Sequence, residues 1–568
     1  MKKENILSAL IAISFSIIIL RYFNLQIRHG KYYEEMATKN HIRQEILPAY
    51  RGTLLSADNF FLAKNEVDYD LIFYLEESKN PEKTIKELQN LLPLRKEEII
   101  QRWKQKDSNP SYLPIKLIFS IDGEELPLIE EFKIKYNEIA IHKTFKRDYP
   151  FSDLFPHAIG YISEASPQDL KENPNLKQGE WIGKIGLEKY YENFLKGKDE
   201  IWQIVVDSKE KEVSRYLIEK GRKGKDLKTS LNLRLQRKAK ELFGEQRGAA
   251  ILFNVKNGEV LLYFSSPSKR IMPPISSKAR ALWKNLLNDT SLPLLDRVSQ
   301  ATYPPGSIFK VILVIAALEE GILNPEKKFI CNGSFKFGDS IFKCWNQKGH
   351  GAVDLKRAIV ESCDVYFYNL GLILGLNKIE KWGKIFEIDK KSNIDLPFEK
   401  SGFIPSENWS LSARHVPWYA GETVSLSIGQ GPVLVTPLKV AQIYGVFASG
   451  GKLITPHIVP KKIFEYKNLK ISENTLKFIK EALVDVVAKP NGTAHKIFGK
   501  PLIGGKTGTA QVMSEEKGKP YIKEHSWFVG FAPAEEPNFV CAVIVENAGH
   551  GSEVAAPIVK ELLDFSLK

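Results

Sequence analysis

Val311-Ile312-Leu313-Val314-Ile315-Ala316-Ala317-Leu318 restricts the fold more than any other segment. At helical spacing this run has almost no polar face, so a helix here must be enclosed by other elements of a sizeable domain. Strand-length apolar runs able to enclose it lie far apart in the chain. Ala249-Ala250-Ile251-Leu252-Phe253 and Val260-Leu261-Leu262-Tyr263-Phe264 flank Asn257-Gly258, a hairpin signal. Phe539-Val540-Cys541-Ala542-Val543-Ile544-Val545 is a third run, and an amphipathic helix over Ala556–Leu567 follows it. Strands at both ends of a region with helices between them predict one sheet built from distant segments and covered by helices, an α/β (α+β) domain.

The chain before this domain has a different character. Residues 24–230 read as a mixed, irregular domain of short extended pieces around a helix at Lys83–Lys106, whose apolar Leu88, Leu91 and Leu92 stand among charges. Ahead of it, Ile6–Leu20 is uncharged and mostly apolar, and Tyr22 and Phe23 extend it past Arg21. Its length is near the lower limit for a membrane span, roughly 17–25 residues. Arg21-Tyr22-Phe23-Asn24-Leu25-Gln26 offers no small-residue cleavage site, so an uncleaved signal anchor is expected. Lys2 and Lys3 precede the run while Arg21, Arg28 and Lys31 follow it, a weak positive-inside bias. Three parts are expected: an anchor at 1–23, the mixed domain at 24–230 and the α/β domain at 231–568.

Composition excludes some functions. Of 568 residues, 43% are hydrophobic and 26% charged, which does not fit a disordered chain. A formal charge of +13 fits either a polyanion partner or a lysine-rich solvated surface. No nucleic-acid motif, dinucleotide fingerprint or phosphate loop occurs, so the surface reading is preferred and no nucleic acid is expected. Four cysteines are too few for a disulfide scaffold.

Ser-x-x-Lys occurs at Ser208, Ser266, Ser307, Ser340, Ser449 and Ser514, so the spacing alone selects nothing. Ser307, in Tyr303-Pro304-Pro305-Gly306-Ser307-Ile308-Phe309-Lys310, stands out by its Pro-Pro-Gly helix start and the apolar helix behind it. Ser340 repeats Ser-Ile-Phe-Lys, but follows Gly338-Asp339 in a short stretch between two cysteines. A serine hydroxyl needs a base to become a nucleophile. A lysine three residues on shares its helix face, and desolvation or a neighbouring cation lowers its pKa toward that task. A helix N-terminus also supplies N–H groups where an oxyanion forms. Ser362-Cys363-Asp364 opens a helix through Tyr366-Phe367-Tyr368, and reads either as a proton relay or as an N-cap. Lys506-Thr507-Gly508-Thr509 follows Gly504-Gly505. A lysine beside small hydroxyl residues on a strand can bind a carboxylate, and a glycine there lets a substrate backbone approach; the plain alternative is a turn and strand edge. Together, in this order, the three motifs occur in penicillin-binding proteins and class A β-lactamases.

Nearly the whole chain resembles class B penicillin-binding proteins. Gly248-Ala249-Ala250 with Asn257-Gly258-Glu259, Ile394-Asp395-Leu396-Pro397, Ile428-Gly429-Gln430-Gly431 with Thr436-Pro437-Leu438, and Trp527-Phe528-Val529-Gly530-Phe531-Ala532-Pro533 look like signatures of the catalytic domain. Arg51-Gly52, Gly160-Tyr161 and Gly186-Leu187-Glu188 resemble its pedestal. The chain departs at Ser56-Ala57-Asp58-Asn59, where the family usually has an Asp-Arg-Asn-Gly turn, and at Asp364, where many members have asparagine and elongation-type members often aspartate. Within the class, Cys363-Asp364-Val365-Tyr366-Phe367-Tyr368 looks most like the penicillin-binding protein 2 group.

The resemblance implies a penicillin-binding/serine β-lactamase-like domain with an antiparallel sheet and helical covering, on a dimerisation-type pedestal. It implies a single-pass protein of the inner (cytoplasmic) membrane with its catalytic domain in the periplasm. The implied activity is peptidoglycan D,D-transpeptidation in elongation and cell shape, with β-lactams as inhibitors. Ser307, Lys310, Ser362, Asp364 and Lys506 would be catalytic, with Thr507, Gly508 and Thr509 binding substrate. The N–H groups of Ser307 and Thr509 would form the oxyanion hole. No cofactor is implied for catalysis. Expected partners are stem peptides, a membrane glycan polymerase of the shape, elongation, division and sporulation group, and other wall-synthesis proteins. A β-lactamase needs neither an anchor nor a long first domain, whereas a D,D-carboxypeptidase differs only in the fate of the acyl-enzyme. A β-lactam sensor needs a cytosolic effector, for which Met1–Asn5 is too short, and a non-catalytic scaffold has no need of an intact Ser307, Lys310, Ser362 and Lys506.

Three of the four cysteines, Cys331, Cys344 and Cys363, fall with His350 at spacings of 13, 6 and 13 residues. Cys3His is a structural zinc set. A disulfide is the rival outside the cytoplasm, but leaves one cysteine of the three unpaired. Cys541 lies in an apolar strand and reads as a buried free thiol. A structural zinc is expected, pinning 331–350 to the base of the Ser362–Asp364 motif.

Overall fold

The structure is a computed structural model describing residues 2–29, 31, 42–107, 114–176, 179–206, 212–271, 277–498, 503–511 and 523–568. The apolar runs become the sheet. Strands β1 (Gly248–Asn254) and β2 (Val260–Ser266) pair antiparallel through a loop in which Gly258 takes a φ of +81°. Strands β3 (Gly504–Ala510), β4 (His525–Ala532) and β5 (Phe539–Val545) complete an antiparallel sheet of order β2-β1-β5-β4-β3. The N- and C-terminal parts of the domain therefore meet at β1 and β5, where Ala250 stands opposite Val543.

Helix α1 (Lys310–Glu319) carries the all-apolar run, and every residue from Lys310 to Ala317 is buried. Around it pack α2 (Asp364–Ile385) and α4 (Glu473–Ala488), while α3 (Pro437–Ala448) and α5 (Ala555–Ser566) pack on the sheet. The helix α3 comes so close that a Cβ on Gly445 would lie 2.9 Å from the Phe253 ring.

Two compact units divide the chain. One comprises residues 1–52 and 193–225, the other 53–192 and 226–568. The first contains the helix Lys2–Phe23, continued by a π-turn at Asn24–Arg28, and an antiparallel sheet of Ile42–Leu47, Glu200–Val206 and Glu212–Glu219. Among the described residues one helical stretch, Ile11–Arg28, is long and apolar enough to cross a membrane.

In the second unit, the strand Phe61–Phe73 pairs with Ile139–Asp148 and Ile115–Ile118 over a small core that includes Phe73, Leu88, Ile99 and Trp103. The single helix expected over Lys83–Lys106 is instead two helices, Pro81–Leu91 and Lys96–Trp103. Pro93 lacks an N–H for the helical ladder and opens a 3-10 turn at Pro93–Arg95. That break seats Arg95 among Glu98 (3.2 Å), Asp122 (3.2 Å) and Glu125 (2.9 Å). At Ser56–Asn59 the chain does turn, with the Phe60 N–H donating to Ser56 Oγ and Asn59 at positive φ.

Because α1 is enclosed on all sides, Leu313→Ala is expected to destabilise the protein by about 2–5 kcal/mol. Urea unfolding of the full chain measures it.

Candidate active site

Ser307 lies on a 3-10 turn, Gly306–Phe309, that runs directly into α1. Residues three apart eclipse in a 3-10 helix, so Ser307 and Lys310 stand one above the other. The turn is clamped by distant segments. The Gly306 N–H donates to Gly429 O (2.9 Å), Trp527 Nε1 to Pro304 O (3.1 Å), and Tyr444 Oη to Ile308 O (3.0 Å). Gly306 has a φ of +56°, and a Cβ there would lie 2.4 Å from Thr509 O, so the turn abuts β3 directly. Ser307 is half-buried, and among the described residues its hydroxyl has no hydrogen-bond partner.

Ser362 is not an N-cap. Its φ of +52° is left-handed, and Cys363 takes the cap position of α2 without a side-chain bond. That strained turn aims the Ser362 hydroxyl inward, where it accepts from Lys310 Nζ (3.2 Å) and Lys506 Nζ (3.0 Å). Lys310 Nζ also donates to Ser362 O (2.9 Å) and Asp364 Oδ1 (2.6 Å), and lies 5.2 Å from the Phe367 ring centroid. The other Asp364 oxygen accepts the Trp345 backbone N–H (2.9 Å). Lys506 is fully enclosed. Burial, and then the positive charge of Lys310, push its ammonium well below the ordinary lysine range, with Asp364 opposing.

The strand β3 forms an edge of the sheet. On it, Thr507 Oγ1 lies 2.8 Å from Thr493 Oγ1, and Thr509 O accepts from Gln430 Nε2 (3.4 Å). The space a Cβ would take on Gly508 is filled by the protein itself: it would lie 3.0 Å from Ile308 and Trp527 and 3.2 Å from Pro305 O. Gly508 thus lets the nucleophile turn approach β3. Trp345 and Thr493 were not foreseen. Neither sits at a periodic or motif spacing, although Asn491-Gly492 before Thr493 is a turn signal.

The other Ser-x-x-Lys serines fall elsewhere. Ser340 begins an exposed strand, Ser340–Lys343, paired with Ser334–Phe337. Ser266 donates to Gln246 O and Ser449 to Lys452 O. Ser208 and Ser514 lie outside the described residues.

Cys331, Cys344, His350 and Cys363 converge, with one ligand atom from each lying within 4.8 Å of the others. His350 Nδ1 is 3.5 Å from Cys331 Sγ and 3.6 Å from Cys344 Sγ. Tetrahedral zinc, with bonds of about 2.3 Å to sulfur and 2.0 Å to nitrogen, sets neighbouring donors about 3.5–3.8 Å apart, so the set fits. The neighbouring Cys363 thiol, by hydrogen bonding to it, draws the Cys344 thiol well below the ordinary thiol range. All four cysteines are buried and free.

Comparison with known proteins shows the family of the chain. The model for the penicillin binding protein transpeptidase domain matches residues 248–564, and that for the penicillin-binding protein dimerisation domain matches 46–229. The peptidoglycan D,D-transpeptidase MrdA of Acinetobacter baumannii is 33% identical, over 98% of this chain and 86% of its own. The solved complex between penicillin-binding protein PBP2 and MreC from Helicobacter pylori superposes with a TM-score of 0.83 at 29% identity, covering 93% of this chain and 99% of that one. A solved peptidoglycan synthase complex that coordinates polymerization and crosslinking gives 0.70 at 27% identity, covering 99% and 97%. With the transpeptidase model spanning more than half of its length, the chain belongs to the penicillin-binding protein transpeptidase family, as a class B member similar to PBP2.

Proposed function

We propose that the chain is a peptidoglycan D,D-transpeptidase that cross-links stem peptides through a Ser307 acyl-enzyme during cell elongation. The observation that carries this reading is the meeting of two lysines on one serine hydroxyl, Ser362 Oγ, beside the Ser307 turn. A hydroxyl that accepts from both lysines keeps its own proton free to donate to a leaving amine.

The direction of the Lys506 shift supports an order of events. Arrival of the substrate's terminal carboxylate at Lys506, Thr507 and Thr509 favours a proton on Lys506. That proton passes from Lys310 through Ser362 Oγ, and the new charge on Lys506 disfavours a charge on Lys310. Lys310, now neutral, takes the Ser307 proton as Oγ attacks the carbonyl carbon of the penultimate D-alanine. The oxyanion lies against the N–H groups of Ser307 and Thr509. The C–N bond then breaks, Ser362 supplies the proton to the departing D-alanine, and an amine from a second stem later displaces Ser307.

The anchor helix supports attachment to the inner (cytoplasmic) membrane with the catalytic domain in the periplasm. Likeness to the synthase complex and to the MreC complex supports work beside a membrane glycan polymerase and other wall-synthesis proteins. We further propose a structural zinc on Cys331, Cys344, His350 and Cys363. It would hold the segment 331–350 against Cys363, between Ser362 and Asp364, and take no part in the chemistry.

Ser307→Ala is expected to abolish covalent labelling by penicillin and Ser340→Ala to leave it intact, read by mass spectrometry of the labelled peptide. The reverse result would refute the nucleophile. Lys506→Arg keeps a cation but cannot take up the relayed proton; acylation should fall by about a hundredfold, the lower range for a proton-transfer group. Stopped-flow acylation with a chromogenic β-lactam tests it, and a wild-type rate would remove Lys506 from the relay. Protein purified without chelator should contain about one zinc per chain, and its removal should loosen the 331–350 segment in hydrogen exchange without unfolding the domain. A Cys331–Cys344 disulfide without metal would contradict the zinc.

A further inference from the structure

Trp345 is fixed at both ends and still 59% exposed. Its backbone N–H donates to Asp364 Oδ2 (2.9 Å), and its indole Nε1–H to Glu361 O (3.0 Å). Its ring also meets His350 edge-on, at 5.4 Å between centroids and 62° between planes. The indole's polar group is therefore satisfied by the protein while its apolar surface remains in water. A flat apolar surface already immobilised in this way loses little entropy when something packs on it. It stands at the Glu361–Asp364 turn, which delivers Ser362 to Lys310 and Lys506.

The reaction determines what arrives at that turn. By microscopic reversibility, the hydroxyl that gives a proton to the departing amine also takes one from the incoming amine. The acceptor nitrogen therefore stops beside Ser362. Its new bond to the Ser307 ester carbonyl carbon forms, the Ser307 C–O bond breaks, and the amine's proton travels through Ser362 and Lys310 to Ser307 Oγ. The chain of atoms behind that nitrogen must leave across the surface beside the turn that carries Ser362, and to that turn, among the described residues, the exposed Trp345 is hydrogen-bonded.

We propose that Trp345 is a specificity residue of the acyl-acceptor subsite, packing the aliphatic arm of a primary-amine acceptor against its open indole surface. This rests on the transpeptidase reading. The side chain can be changed without touching the backbone N–H that holds Asp364, so the two roles of the residue separate.

The test uses the full chain in detergent micelles with a D-alanyl thioester as acyl donor. Two acceptors are compared within each variant: Nα-acetyl-lysine amide, whose amine ends a long arm, and ethylamine, which has almost none. Wild type should prefer the long-armed acceptor. Trp345→Ala should cut that preference about fivefold through the acceptor KM, the size of one exposed apolar or cation–π contact, and Trp345→Phe should restore most of it. Should the alanine variant not fold, Trp345→Gln, which fills part of the same space without an apolar face, must show the same loss. An unchanged preference, or equal losses for both acceptors as a merely structural tryptophan would give, overturns the proposal. Penicillin labelling of Ser307 in the same preparations separates the failures: unlabelled wild type refutes the transpeptidase reading, whereas labelled wild type without arm preference refutes the acceptor assignment alone.

Discussion

Everything at this site turns on one electrostatic problem. Two lysines, Lys310 and Lys506, are wholly buried around a single carboxylate, Asp364. Two ammonium groups with one counter-ion leave an unpaired charge in a dry interior, which costs several kcal/mol. The charge imbalance is relieved by depressing Lys506, the amine without a direct carboxylate partner. A neutral amine able to take up the proton that Lys310 must shed is what the relay to Ser307 needs, and burial of Lys506 produces it.

The architecture keeps that pair together although its members are far apart in sequence. Ser307 and Lys310 come from the start of α1, Ser362 and Asp364 from the start of α2, and Lys506 from the edge strand β3. A central helix that is apolar all round fixes the first group, because α1 has no surface along which to slide. The left-handed Ser362 fixes the second, and the missing side chains of Gly306 and Gly508 let β3 close against the Ser307 turn.

Much of this was legible in the sequence because the relevant signals are local. The run Ala249–Phe253 fell within one residue of the strand Gly248–Asn254 at both ends, Val260–Phe264 stopped two residues short of Ser266, and Phe539–Val545 matched at both ends, since apolar stretches of strand length bounded by turn residues leave little choice. Among six Ser-x-x-Lys spacings, the helix context selected Ser307, and Ser340 is on an exposed hairpin strand. The long helix at Lys83–Lys106 was misread because Pro93 was weighed less than the periodicity of its leucines. Ser362 was ambiguous between relay and cap, since φ is not written in residue identity. Trp345 and Thr493 were invisible because their contacts, to Asp364 and Thr507, depend on segments brought together only by the fold.

The cysteine cluster and the catalytic centre share backbone at two places. Cys363 lies between Ser362 and Asp364, and Cys344 immediately precedes Trp345, whose N–H holds Asp364. At the first place the adjacent side chains part, Cys363 toward the cluster and Asp364 toward Lys310; at the second, Cys344 enters the cluster while the backbone N–H of Trp345 reaches Asp364 and its ring lies against His350. With Cys344 and Cys363 meeting in the cluster, the Trp345 N–H is set beside Asp364, the carboxylate that accepts from Lys310. The segment 331–350, whose hairpin also packs Phe335 and Phe342 on Tyr368, is in this way tied to the carboxylate of the site. Asparagine at position 364 would still accept the Trp345 N–H, but would offer Lys310 no charge. The aspartate in this chain thus links both lysine protonation and the position of Trp345 to a single side chain.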